Sequence, residues 1–210
     1  MTWLLTCTDR EHHLSGPNLF KPSNVPPIDE IAHSLAQINR FTGHCIRPYS
    51  VAEHSLLVFD IAVSSGASAI TCLAALMHDA HECVCGDVAS PIKMVLGDDW
   101  HDFESEQQQA VLEGHEVWDA YVDAAHQIRH WDLIALATER RDLLGFDKRV
   151  NTPWPVIDTP GKVIDPWPDV YLYTHIRNAA TWLDWEARFR AAYEQQRAII
   201  AQAAVAGAAA

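Results

Sequence analysis

Four ionisable side chains fall within five positions where an apolar run ends. The stretch is LMHDAHECVCGD, Leu76 to Asp87, with His78 beside Asp79 and with His81 and Glu82 close behind. A charge inside a fold costs several kcal/mol unless it is paired or bound to a metal. Imidazole and carboxylate together suit Zn, Mn, Fe, Co or Ni rather than calcium. Adjacent residues on a helix point about 100° apart, so His78 and Asp79 share one ion only if it lies over the edge between them. Further ligands must then come from other helices. His54 and Asp132 are the candidates, since each stands in a helical pattern and borders an apolar stripe.

Such side chains need elements to hold them. Ile28, Ile31, Leu35 and Ile38 repeat with helical spacing, which predicts a first helix from about Ile28 to Phe41. Gly43 and Pro48 break it. Ser50 to Glu53 reads S-x-x-E, a capping box opening the helix of His54. Ser68 can cap a helix that runs through Met77 towards Cys85 and stops near Gly86. Another helix starts at the GDD before Trp100, and a further one, with Ile128, Trp131, Ala135 and Leu136, ends near Gly145. Arg140 and Arg141 read as its solvated face.

Residues 1–27 show little periodicity and several prolines, and read as an irregular arm. Residues 28–150 form the helical core. Residues 151–170 carry Pro153, Pro155, Pro160, Pro166 and Pro168 and read as a long loop. A last helix from about Tyr171 and an alanine-rich tail fill residues 171–210. Nothing alternates with period two for long enough to predict a strand. The expected fold is all-α, in one domain.

The 210 residues suffice for one sizeable core. With 28 acids against 15 bases the formal net charge is −13, which argues against a nucleic-acid polymer as partner. A small anionic substrate needs only a few local cations. Five cysteines without a C-x-x-C pair suggest neither a disulfide framework nor a zinc ribbon. No stretch approaches the roughly 18 apolar residues of a membrane helix. The N-terminal MTWLLTCTDR lacks the basic start of a signal peptide. The default expectation is a cytoplasmic protein.

The segments YSVAEHS, LMHDAHECVCGDVASPIK and WDLIALATERRDL, in the order H…HD…D, resemble the HD-domain metal-dependent phosphohydrolases. The similar branch is that of the compact nucleotide hydrolases, the bacterial 5′-deoxynucleotidases and phage dATP triphosphohydrolases. The resemblance runs from about Ile28 to Gly145. It implies an all-α homo-oligomer with one divalent transition metal, held by His54, His78, Asp79 and Asp132. It implies a (deoxy)nucleotide substrate attacked at the α-phosphorus, which releases a nucleoside with phosphate or tripolyphosphate.

Glu82 follows His78 by four positions, which on a regular helix puts both on one face. By resemblance it is the acid beside the metal, able to orient a water or take its proton. Asp87, by the same resemblance, touches the sugar or protonates the leaving oxygen. Arg40 and Phe41 stand where the deoxynucleotidases have an Arg-Trp pair, the arginine on phosphate and the aromatic on the nucleotide. Here phenylalanine replaces tryptophan. Lys93, in SPIK, is a second phosphate candidate. The alternative is a regulatory module that holds the metal without catalysis. Such a module needs none of Glu82, Asp87 and Arg40.

Overall fold

A computed structural model describes residues 2–208. The helices are α1 (Ile28–Gln37), α2 (Val51–Ser64), α3 (Ala69–Met77), α4 (Glu82–Cys85), α5 (Ser90–Leu96), α6 (Asp98–Gly114), α7 (Trp118–Asp123), α8 (Ala125–Leu143), α9 (Pro155–Asp158), α10 (His175–Ala179) and α11 (Trp182–Ala208). The architecture is the expected all-α one, with a small hairpin added at the N-terminal end.

Two helices form the centre. α2 is buried along most of its length, from Val51 to Ala62, and α3 from Cys72 to Met77. Helices that are apolar all round need cover on every side. α2 receives it from α1, α3, α8 and α11, and α3 from α2, α7 and α11. α1 is one-sided instead. It turns Ile31, Ala32, Leu35 and Ala36 inward against α11 and α2.

The caps explain the starts of the central helices. The Glu53 amide donates to Ser50 Oγ at 3.2 Å, and the Thr71 amide to Ser68 Oγ at 3.2 Å. Only half of the expected capping box forms. The Glu53 side chain turns inward, where Arg47 meets it through two bonds of 2.7 Å and Arg177 through one of 2.6 Å. A buried carboxylate paired in this way is costly to orphan, by about 3–5 kcal/mol.

Several boundaries differ from the sequence expectation. The first helix stops at Gln37, not Phe41, because Ile38 becomes extended and Asn39 bridges Ser50. The Val51 amide donates to the Ile38 carbonyl at 3.0 Å and that of Arg40 to Tyr49 at 2.9 Å, so this pairing takes over from the helix. The helix after Ser68 does not continue to Cys85. It ends at Met77, and the backbone tightens to i→i−3 bonds, Ala80 to Met77 at 2.8 Å and Glu82 to Asp79 at 3.0 Å. α4 then stops at Gly86, as expected, where φ is +79°.

The arm is not wholly irregular. Strands β1 (Trp3–Leu5) and β2 (Glu11–His13) pair antiparallel, with Leu4 opposite His12. Three residues per strand are too few to show alternation. The proline-rich segment holds α9, and the last helix begins at Trp182 rather than near Tyr171. Thr174 ends the extended stretch by capping α10, and Thr181 and Asp184 open α11. α5 and α7 were not anticipated.

Gly114, the last residue of α6, sits against the arm. A Cβ there would lie 2.3 Å and 2.4 Å from the two Val25 methyl groups. Valine is stiff at χ1, so the arm itself would have to shift. Gly114→Ala is expected to lower stability by about 1–3 kcal/mol, the usual range for overpacking. Chemical denaturation measures it, and a stability equal to the parent's would show that the arm yields freely.

Candidate metal centre

Three separate elements converge on one point. His54 comes from the first turn of α2, His78 and Asp79 from the tight turn after α3, and Asp132 from α8. His54 Nε2 lies 3.4 Å from Asp79 Oδ2 and 3.4 Å from Asp132 Oδ1. His78 Nε2 lies 3.1 Å from Asp79 Oδ2. The ligand atoms of His54, His78 and Asp132 all fall within 4.8 Å of one another.

The orientation of the rings is what fits a metal. His78 Nδ1 donates to the Ala75 carbonyl at 2.8 Å. His54 Nδ1 donates to Glu139 Oε1 at 2.6 Å. Each bond fixes the tautomer and leaves Nε2 facing inward, and both Nε2 atoms are buried without a hydrogen-bond partner. Ligating histidines are held in this way by an outer carboxylate or carbonyl.

The electrostatics show a demand for positive charge at this point. Burial and Arg40 disfavour a charged His54, yet Glu139, Asp132 and Asp79 outweigh them and raise its pKa well above the ordinary value. Burial opposes ionisation of Asp79, but His78 and His54 bring its pKa well below the usual range. Asp132 is likewise disfavoured by burial and brought down to about 2 by His54 and His78. A divalent ion can take the place of the proton on such a ring, which is why metal binding releases protons.

Glu139 is a feature that the sequence reading missed. It is fully buried and accepts from His54, from Tyr49 Oη at 2.9 Å and from Arg40 Nη2 at 3.5 Å. It follows Asp132 by two helical turns on α8, and that spacing is the signal that could have found it. Burial opposes its charge, while Arg40, His54 and Tyr49 hold its pKa below the ordinary value.

Arg40 lies in the same network. Its Nη1 is 3.7 Å from Asp79 Oδ2, opposite its contact with Glu139. Burial disfavours its charge, but Glu139, Asp87, Asp79 and Glu82 secure it. Phe41 follows with its ring centroid 5.5 Å from the Arg40 guanidinium carbon. Glu82 is buried, and its Oε2 has no partner. Burial, then Asp79 and Asp87, push its pKa well up. Asp87 is half-buried and raised by burial and Asp79 against the pull of Arg40.

Lys93 does not point freely at the centre. It donates to Glu104 Oε1 at 2.5 Å, on α6. The same oxygen lies 3.7 Å from His81 Nε2. Asp132 also receives Arg129 at 2.5 Å. Arg140 is not a solvated residue either. It grips Asp158 through bonds of 2.5 Å and 2.8 Å.

No helix among the described residues is long and apolar enough to cross a membrane. No protein-family model matches the chain. An uncharacterized protein of Rhodobacter capsulatus is 40% identical over 88 residues, which cover 40% of this chain and 45% of that protein. The uncharacterized protein YfdR of Escherichia coli K12 is 38% identical over 131 residues, which cover 62% of this chain and 67% of that protein. On that extent of likeness, the chain belongs to the same family as Escherichia coli YfdR.

Proposed function

We propose that this chain is a divalent-metal-dependent phosphohydrolase acting on (deoxy)nucleotides at the α-phosphorus. One observation carries the reading. Two buried imidazole Nε2 atoms, each fixed by a bond on its far side, face two carboxylates with Arg40 beside them. A structural metal site would more often use cysteine and would not need the arginine.

The residues present divide the work. His54, His78, Asp79 and Asp132 would hold the ion, which when bound supplies Lewis-acid polarisation and activation of water near neutral pH. Arg40 would hold non-bridging phosphate oxygens through its planar fork. Glu82, raised by burial, is suited to accept a proton from the attacking water. Water adds to phosphorus, the bond to the 5′ oxygen breaks, and that oxygen takes a proton, for which Asp87 is the donor. Lys93 would turn to the phosphate by leaving Glu104.

Protein loaded with Co²⁺ or Mn²⁺ and offered deoxynucleoside mono- and triphosphates tests the reading, with products separated by chromatography. A nucleoside with phosphate or tripolyphosphate is the expected product. Glu82→Ala should keep the metal and lower turnover by about 10²-fold or more, the scale of lost acid–base help. Near-parental turnover in that variant would remove Glu82 from the chemistry. No turnover of any nucleotide at full metal occupancy would leave a metal-holding module.

A further inference from the structure

A second group of ligand-type side chains lies next to the candidate centre and shares none of its four residues. His81 immediately precedes α4, Glu82 is the first residue of α4, and Glu104 belongs to α6. One ligand atom from each falls within 4.8 Å of the other two. α6 is held against the turn that carries His81. Gln108, one turn after Glu104 on the same face, donates to the His78 carbonyl at 2.8 Å. The three side chains therefore meet at a contact between two anchored elements.

Two of the three lack a partner. His81 is 4% exposed and Glu82 3%. His81 Nδ1 and Glu82 Oε2 are buried, and neither has a hydrogen-bond partner. The other ring nitrogen of His81, Nε2, comes only to 3.7 Å from Glu104 Oε1. Buried polar groups are as a rule hydrogen-bonded, and an ion is one of the few explanations for an exception. Glu104 differs from the other two, because Lys93 already holds its Oε1 at 2.5 Å. That ammonium is itself a cation at the group, and it bonds to one carboxylate of the two.

We infer that His81, Glu82 and Glu104 form a second, weaker site for a divalent cation, with Lys93 as its internal competitor. One imidazole and two carboxylates suit an ion such as Mn²⁺. The site is weaker than the first centre for two reasons. The ion must displace an ammonium from Glu104, and it approaches a neighbouring ion of the same charge. Desalting removes it, leaving the first ion alone. Filling the site releases Lys93, so on the nucleotide reading above the ion that takes Glu104 hands a cation to the phosphate. The site itself needs no nucleotide and is read by binding.

Calorimetric titration of the metal-free protein with Mn²⁺ tests this with no substrate present. The parent is expected to show two steps, a tight one at one ion per chain and a weak one after it. Glu104→Gln and His81→Phe should each keep the tight step and weaken the second by about tenfold or more, the scale of one lost charge or donor a few ångströms from the ion. Lys93→Met should move the weak step the other way, to about tenfold tighter, because a like charge beside the ion is gone. Far-UV circular dichroism shows that the variants are folded, and Glu104→Gln alters only a half-buried side chain of nearly unchanged shape. Ions gathered loosely by the net negative charge of the chain would be indifferent to all three changes. The site is overturned by that result, by a single step in both the parent and Lys93→Met, or by a weak step that Lys93→Met leaves unmoved. A weak step that depends on Glu104, with no tight step before it, would keep this site and sink the candidate centre.

Discussion

Asp79→Asn is expected to yield a folded protein that binds no divalent metal at the candidate centre and turns over no nucleotide. Asp79 Oδ2 lies close to both imidazole Nε2 positions, 3.1 Å from His78 and 3.4 Å from His54. Asparagine keeps the shape and removes the charge. The remaining set, two neutral imidazoles and Asp132, would have to neutralise a divalent ion with one carboxylate. Arg40, 3.7 Å away, would then oppose the ion with less screening by an acid. Elemental analysis should fall from one ion per chain to none. Because Asp79 lies at the rim of the core rather than within it, far-UV circular dichroism should be that of the parent. Unchanged metal content in the variant would show that the ion, if present, is held elsewhere.

Glu139→Ala should have the largest effect on stability. The carboxylate is fully buried and three groups depend on it: His54 at 2.6 Å, Tyr49 at 2.9 Å and Arg40 at 3.5 Å. Removing it strands a buried guanidinium and two buried donors. Loss of one partner of a buried ion pair costs about 3–5 kcal/mol, to be read by urea unfolding. Glu139→Gln separates this structural part from the effect on the centre. The amide oxygen can still accept from His54, but the negative charge that makes the ring a better ligand is gone. Metal affinity is expected to fall by about 10- to 100-fold, the usual result of altering such an outer partner. A glutamine variant that holds metal as tightly as the parent would show that Glu139 only packs.

The parts that were legible in the sequence share a cause. His54 and Asp132 interrupt stripes whose period is regular, so α2 and α8 could be placed, and with them the direction of each candidate ligand. His78 and Asp79 stood out because charges closed an apolar run. What the run could not show was that the helix stops there. LAALMHDAHE has no glycine or proline, and only the i→i−3 tightening after Met77 swings Asp79 to its place. The relation of Glu82 to His78 therefore follows a turn, not a regular helical face. Glu139 was hidden for a different reason. It lies in TERRDL, whose polar letters look solvated, yet Glu139 and Asp142 are buried, Arg140 reaches across to Asp158 and Arg141 grips the adjacent Asp142. Spacing from Asp132 would have separated the inward acids from the outward ones. The hairpin and α9 were too short for any period to appear.

Glu53 has a consequence for how much of the chain the fold requires. Arg177, well past the proline-rich segment, binds the same buried carboxylate as Arg47, and Arg47 also holds the Leu172 carbonyl at 2.9 Å. α11 then lies along α1, α2 and α3. What reads as a linker followed by a tail is thus the outer wall of the central helices. A chain shortened at the proline-rich segment would keep every candidate ligand and lose the surface that holds α2 in place. The smallest unit able to present His54 to its partners is set not by the span of the motif but by the reach of Arg177.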